Sequence, residues 1–185
     1  MIWAISAGQP DLIFRGRAAL EAGLDRLLVR EPHIPAGLGA LIADFPGRVV
    51  LHGRMEGAAA MRRETGVAVH LSAAAEPAEW LASAGDVGQS CHSVAEVQRA
   101  RQAGCAWAFL SPIWAPFSKP MDQRRPLGPE VLAGTGAVAL GGISVERASA
   151  CRRHGAVGVA SMSGILSELD PGAAVVRWRL GWNAE

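Results

Sequence analysis

The strongest constraint on the fold is a rhythm: short apolar runs alternate with segments of helical periodicity along 185 residues almost without a break. Apolar runs of this length bounded by turn residues predict strands, and helices placed between successive strands predict a parallel sheet with crossover connections. The runs predict strands at Ile2–Ser6, Arg26–Arg30, Val49–His52, Ala68–Ser72, Val87–Cys91, Trp107–Ile113, Val138–Gly141 and Gly158–Met162. The helical segments between them are Gly16–Ala22, Leu38–Ala43, Ala58–Glu64, Ala78–Ala84, Val94–Ala103, Pro129–Leu132, Val145–Arg153 and Ile165–Glu168. Eight βα units are the count of a (β/α)₈ barrel, here a single compact domain over residues 1–185 with short loops. An open doubly wound sheet is the competing architecture, and it is disfavoured because no G-x-G-x-x-G turn follows the first strand.

Punctuation supports the division. Gly23, Gly66, Gly85, Gly104 and Gly155 each follow a helical segment, where a residue free to take positive φ is favoured. Ser93 with Glu96 reads as a capping box, and Ser144 as an N-cap. The longest connection, Trp114–Pro126, follows the sixth strand, at the end of a barrel where sites are built.

Composition narrows the function. A net charge of +1 supplies no field for a nucleic-acid backbone or an anionic membrane, and no window approaches a spanning length. The apolar N-terminus without a basic region predicts no secretory signal, and Cys91, Cys105 and Cys151 share no metal-ligand spacing, so a reduced cytoplasmic setting is expected. Nothing in the pattern excludes an oligomer.

Two features point to an anionic ligand. After the seventh and eighth strands come Gly141-Gly142 and Met162-Ser163-Gly164; paired glycines admit an anion to backbone N–H groups, and a helix start after the eighth strand would add a positive dipole end. The alternative is that the glycines only make a tight turn. Lys119 is the one lysine among 18 basic residues, and it sits in the long loop. There it is either an anion-holding point charge or a surface accident.

The segments Leu27–Glu31, Val69–Leu71, Gly88–Ser93, Phe109–Trp114 with Ser118–Pro120, Pro126–Gly128, Ala139–Ile143 and Gly158–Ser163 fall in the order of motifs in the thiamine-phosphate synthase and thiazole tautomerase superfamily, which the chain resembles over nearly its whole length. The resemblance implies a TIM barrel of thiamine biosynthesis that takes a thiazole phosphate, or a similar phosphorylated heterocycle, at its C-terminal face. It also implies a substrate set of Ser90, Ser118, Gly141, Gly142, Met162 and Ser163, with Lys119 in the cationic position of the long loop.

Departures from the family pattern are concentrated on one side. Of an inward Gln-x-Arg-x-Lys alternation on the second strand only Arg30 remains, between Leu28 and Pro32, and the two metal-binding aspartates fall at Gly53 and Ala75. Glu76 lies one position beyond the second. Mg²⁺ is thus expected only if synthase activity is retained, and otherwise no cofactor and no metal site. The usual tautomerase histidine corresponds to Pro112. His52, His70 and His92 fall at predicted strand ends, and His52 is the candidate acid/base because it replaces a polar site residue; His70 and His92 read as packed or rim histidines, His33 and His154 as surface. Arg30 is expected to bind an anion or to pair with Glu31. Trp114 is expected either to pack its loop or to cover a heteroaromatic ring. The functions in view are a metal-independent, tautomerase-like enzyme, an active synthase using Mg²⁺, and a non-catalytic phosphate-ligand binder.

Overall fold

The computed structural model describes residues 1–115 and 125–185. Eight strands, β1 (Ile2–Ile5), β2 (Arg26–Val29), β3 (Val49–His52), β4 (Ala68–Leu71), β5 (Val87–Cys91), β6 (Trp107–Leu110), β7 (Val138–Ala139) and β8 (Gly158–Ser161), pair in chain order. All neighbours are parallel, and β8 closes on β1 with Ala4 opposite Ser161. Around them lie α1 (Leu12–Glu21), α2 (Leu38–Asp44), α3 (Ala58–Thr65), α4 (Ala78–Leu81), α5 (Val94–Gln102), α6 (Val145–Arg153) and α7 (Pro171–Asn183), with a 3₁₀ turn at Pro129–Leu132. The expected (β/α)₈ barrel is the observed one.

The two-residue period of a strand sorts side chains into two cores. Trp3, Ile5, Leu28, Val50, Ala68, Trp107, Phe109, Val138 and Ala160 fill the barrel. The alternate residues, among them Ile2, Ala4, Leu27, Val29 and Leu51, pack outward against the helices. Volume inside is balanced between large and absent side chains: a Cβ on Gly88 would lie 2.0 Å from the Trp107 indole nitrogen. Gly88 is therefore a glycine because Trp107 occupies its space, an arrangement that close packing requires. Arg26 caps the barrel floor, its guanidinium 5.4 Å from the Trp3 ring and 4.9 Å from the Trp107 ring.

Differences from the expected elements have local causes. The helix expected at Ile165–Glu168 is a run of turns. Ile165 and Leu166 are buried, so their apolar pair imitated a helical face. The chain turns there because Ser161 Oγ accepts the Gly164 N–H at 2.9 Å, and because a Cβ on Gly164 would meet the Trp178 ring at 2.8 Å. The last helix is instead α7, which the sequence reading omitted; Asp170 caps it through the Ala173 N–H at 2.9 Å, Pro171 opens it, and Ala174, Val175, Trp178 and Trp182 form its buried face. That Asp-Pro start and that spacing were the available signal. Helix α1 begins a turn earlier than expected, β6 ends before Ile113, and β7 ends where Gly141 and Gly142 take φ of 92° and 61°. Ser93 caps α5 as expected, whereas Ser144, at the N-cap of α6, makes no side-chain cap bond and bonds instead to Glu146.

Candidate functional site

The strand register lines up one row of side chains that runs from the C-terminal rim down towards the barrel floor. His52 stands opposite His70, His70 opposite Gly88, and Gly88 opposite Trp107. Since Val29 pairs with Leu51, the next residue, Arg30, extends the row at the other end. The sequence places these residues on separate strands, and only the barrel register makes them neighbours.

Both histidines are held in one tautomer. The backbone N–H of Arg54 donates to His52 Nδ1 at 3.2 Å, and Trp107 Nε1–H donates to His70 Nδ1 at 3.0 Å. With Nδ1 accepting, the neutral ring carries its proton on Nε2. Burial first, then the charges of Arg30 and Arg54, push His52 down to about 4; burial, then His52, pushes His70 down to about 3. Each ring is uncharged at neutral pH. A proton gained by His52, the candidate acid/base, would have to sit on Nδ1 and face the Arg54 N–H, donor against donor, so this seat disfavours the charged ring. His70 is 1% exposed and packs 4.3 Å from the Phe109 ring, so the packed reading describes it. His92 is half-buried and donates from Nδ1 to the Ser111 carbonyl at 2.9 Å, and His33 is exposed beside Glu56.

Arg30 is exposed, makes no ion pair among the described residues, and lies 4.0 Å from Met162 Sδ. Glu31, the alternative partner, instead accepts the Gly8 N–H at 3.2 Å. Arg54, which sequence reasoning missed, adds a second cation beside His52. Its place in a Gly-Arg-Met-Glu-Gly turn carried no periodic signal.

On the other side of the rim, the Trp114 N–H donates to the Gly141 carbonyl at 3.0 Å, and Arg147 donates to the Gly142 carbonyl at 2.7 Å while lying 5.3 Å from the Trp114 ring. A Cβ on Gly141 would strike Pro112 at 2.8 Å, and one on Gly142 the Ala115 carbonyl at 2.5 Å. The glycines thus serve the tight turn, and Trp114 buttresses it. The amides are a separate matter: among the described residues the N–H groups of Gly141, Gly142, Met162 and Ser163 meet no protein acceptor. Because the expected helix after β8 is absent, no dipole end adds to them. Ser90 is half-buried, its Oγ 2.9 Å from His70 Nε2. Ser118 and Lys119 lie outside the described residues.

The fold is that of a known group. A family profile for thiamine monophosphate synthase matches residues 48–165. The chain belongs to the thiamine monophosphate synthase family. It is 29% identical over 187 residues to a thiamine-phosphate synthase of a Roseiflexus species, covering 91% of this chain and 78% of that one. A bifunctional thiamine biosynthesis protein of Symbiobacterium thermophilum is 37% identical over 94 residues, 48% of this chain and 19% of that protein. A Pyrococcus furiosus thiamine phosphate pyrophosphorylase shares the fold, with a TM-score of 0.78 at 20% identity over 98% of this chain and 94% of that one.

Synthases of the family generally use Mg²⁺, an ion that demands oxygen ligands. After β3 stand His52 and Gly53, after β4 Ser72–Ala75, and none is a carboxylate. Glu76 lines a cleft of about 430 Å³ shared with α4 and α5 residues. Among the described residues no three His, Cys, Asp or Glu side chains are grouped to hold a metal. Where the ion would be expected, Arg30 and Arg54 flank His52 with positive charge. The described residues do not fit the ion.

Proposed function

We propose that this protein binds a phosphorylated thiazole-type heterocycle across the C-terminal rim and acts on it without a metal, in the manner of the superfamily's tautomerases. The observation that carries this reading is the set of rim amides at Gly141, Gly142, Met162 and Ser163 that meet no protein acceptor. Gly142 is buried and Gly141 and Met162 are half-buried, where N–H groups are almost always satisfied, while Ser163 is exposed beside them; two adjacent loops that leave such amides open are suited to phosphate oxygens. Arg30, beside Met162, supplies charge on the opposite side. Lys119 is proposed, on its sequence position, as a further cation over the same ligand, so Lys119→Ala weakens binding and leaves the fold intact.

Tautomerisation moves a proton between ring positions: a base, water or the ligand's own carboxylate, takes the first proton, the bonding electron pair stays on the ring as excess negative charge, and the proton is returned at the second position. His52 meets that charge as a neutral Nε2–H donor, since its depressed pKa keeps it uncharged at pH 7. In this reading the acid/base role expected for His52 becomes that of a hydrogen-bond donor. Diphosphate displacement, which the names of the relatives favour, is the second reading; it requires stabilisation of a departing polyanion by groups that have been replaced here.

The test is calorimetric titration with thiazole phosphate and with its carboxylate, with and without Mg²⁺, beside a steady-state assay with hydroxymethylpyrimidine diphosphate and thiazole phosphate. Saturable binding that is unchanged by Mg²⁺, with no diphosphate release, is the expected result. Turnover near about 1 s⁻¹, the low end of ordinary enzyme rates, overturns it in favour of the synthase.

A further inference from the structure

Ser90 can offer a ligand either its proton or a lone pair, and the residues beneath it decide which. An indole nitrogen only donates, so the 3.0 Å contact from Trp107 Nε1 obliges His70 Nδ1 to accept. The neutral imidazole then holds its proton on Nε2, which faces Ser90 Oγ at 2.9 Å. In that contact Nε2–H donates and Oγ accepts, so the hydroxyl proton of Ser90 cannot point at His70. Reversing the polarity would require His70 to carry its proton on Nδ1, against the indole N–H.

The reach of Trp107 depends on an absence. Trp107 and His70 stand on β6 and β4, with Gly88 of β5 between them in register. The indole nitrogen occupies the volume that a Cβ at position 88 would fill. Any other residue at 88 would bar the indole from crossing to His70. His70 is fully enclosed, its ring lying 14° from parallel with the Trp107 indole and against Phe109, which leaves it no second orientation to exchange into.

We infer that Trp107 and His70 are positioning residues that set the polarity of Ser90, so that the rim presents a hydroxyl proton and selects a ligand with a hydrogen-bond-accepting atom there, a ring nitrogen or a carboxylate oxygen. The ligand clause rests on the reading of the rim given above. The tautomer clause does not, because it concerns the protein alone. A partner that fixes an imidazole's tautomer through its other nitrogen acts without touching substrate, as metal-bound histidines are oriented by the groups behind them.

Two measurements separate the clauses. Long-range ¹H–¹⁵N spectra of ¹⁵N-histidine-labelled protein report which His70 nitrogen is protonated; the Nε2–H form is expected in the wild type, and its loss or mixing with the Nδ1–H form in Trp107→Phe. Affinity is then compared for thiazole phosphate and for the thiophene analogue in which C–H replaces the ring nitrogen. The wild type should prefer the thiazole by about 3–10-fold, the range of one neutral hydrogen bond. Trp107→Phe and Ser90→Ala should both bring that ratio towards one, with only the former changing the His70 spectrum, and both should still bind phosphate. An Nδ1–H tautomer in the wild type, or an unchanged ratio in Trp107→Phe, overturns the inference. If neither compound binds the wild type, the reading of the rim and the ligand clause fall together, while the spectra still decide the positioning role.

Discussion

Two arginines show how this molecule divides its polar groups. Arg62, on α3, is 2% exposed and donates to the carbonyls of Val67, Trp80, Ser83, Gly85 and Asp86 and to Ser83 Oγ. Arg30, at the rim, is exposed, and among the described residues its guanidinium has one hydrogen-bond-type contact, to the Met162 sulfur. The same guanidinium ties the turn after α4 to the barrel in one place and is left open to solvent in the other. A satisfied buried cation is architecture; a cation left open beside amides that meet no protein acceptor is a place for something to bind.

The largest effect should follow from breaking the satisfied side. Arg62→Ala takes a donor from five carbonyls, of which Val67, Ser83 and Gly85 lose their hydrogen bond while Trp80 keeps Ser83 and Asp86 keeps the Val69 N–H, in a space that water cannot readily refill; the expected loss is about 3–5 kcal/mol in urea denaturation, the scale of a broken buried polar network. Arg62→Lys should recover little of it, since an ammonium has three donors where the fork supplied contacts in several directions. A loss under about 1 kcal/mol would mean that the turn holds itself and that the contrast is overdrawn.

Acid should act on the rim. His52 and His70 titrate at about 4 and about 3 in the folded state, below the ordinary 6.5, so the unfolded chain binds more protons between those values. Their stabilising effect is complete above pH 6.5 and is lost as pH falls towards the folded values. Each histidine contributes a slope of up to about 1.4 kcal/mol per pH unit in that window, so denaturation at pH 5.5 should show about 2–3 kcal/mol less stability than at pH 7.5. His70→Gln should remove roughly half of the slope. A flat profile between pH 7 and 5 would show that the rings are not held neutral.

Gly142→Ala sharpens the comparison from the other side of the rim. With φ of 61° and the Ala115 carbonyl 2.5 Å from the added carbon, the turn must move. We expect about 1–3 kcal/mol of destabilisation and a tenfold or greater loss of phosphate-ligand affinity, read together by denaturation and calorimetry. The smallest stability change belongs to Arg30→Ala, within about 0.5 kcal/mol of wild type, with affinity for the phosphorylated ligand down about tenfold or more. If affinity does not change, the open guanidinium is idle.

The fold was largely legible in the sequence because a parallel barrel writes each strand as a short apolar run. Seven of the eight helical segments were located from the same rhythm. The eighth failed at Ile165 and Leu166, where burial comes from packing beside Gly164 and not from periodicity. Within the site, single-strand features were legible: Arg30 and His52 at strand ends, Ser90 on β5, the Gly141-Gly142 turn. Relations between strands were not. That Trp107 reaches His70, or that Arg54 stands beside His52, depends on register, on a missing Cβ at Gly88 and on a two-residue turn. Reading Ser163 as a helix start failed for the same reason, since a three-residue contact through Ser161 Oγ decides it.

The pairing of β1 with β8 has a consequence for synthesis. Ala4 and Ser161 must meet before the sheet has no edges, and translation at about 5–20 residues per second separates their emergence by roughly 8–30 s. Throughout that interval the first strand carries unpaired amides on one side and Trp3 without its full enclosure. A nascent chain stalled before residue 158 is therefore an open, adhesive sheet, a natural client for a holding chaperone, and a product truncated before β8 should be cleared by proteases rather than accumulate as a smaller folded protein.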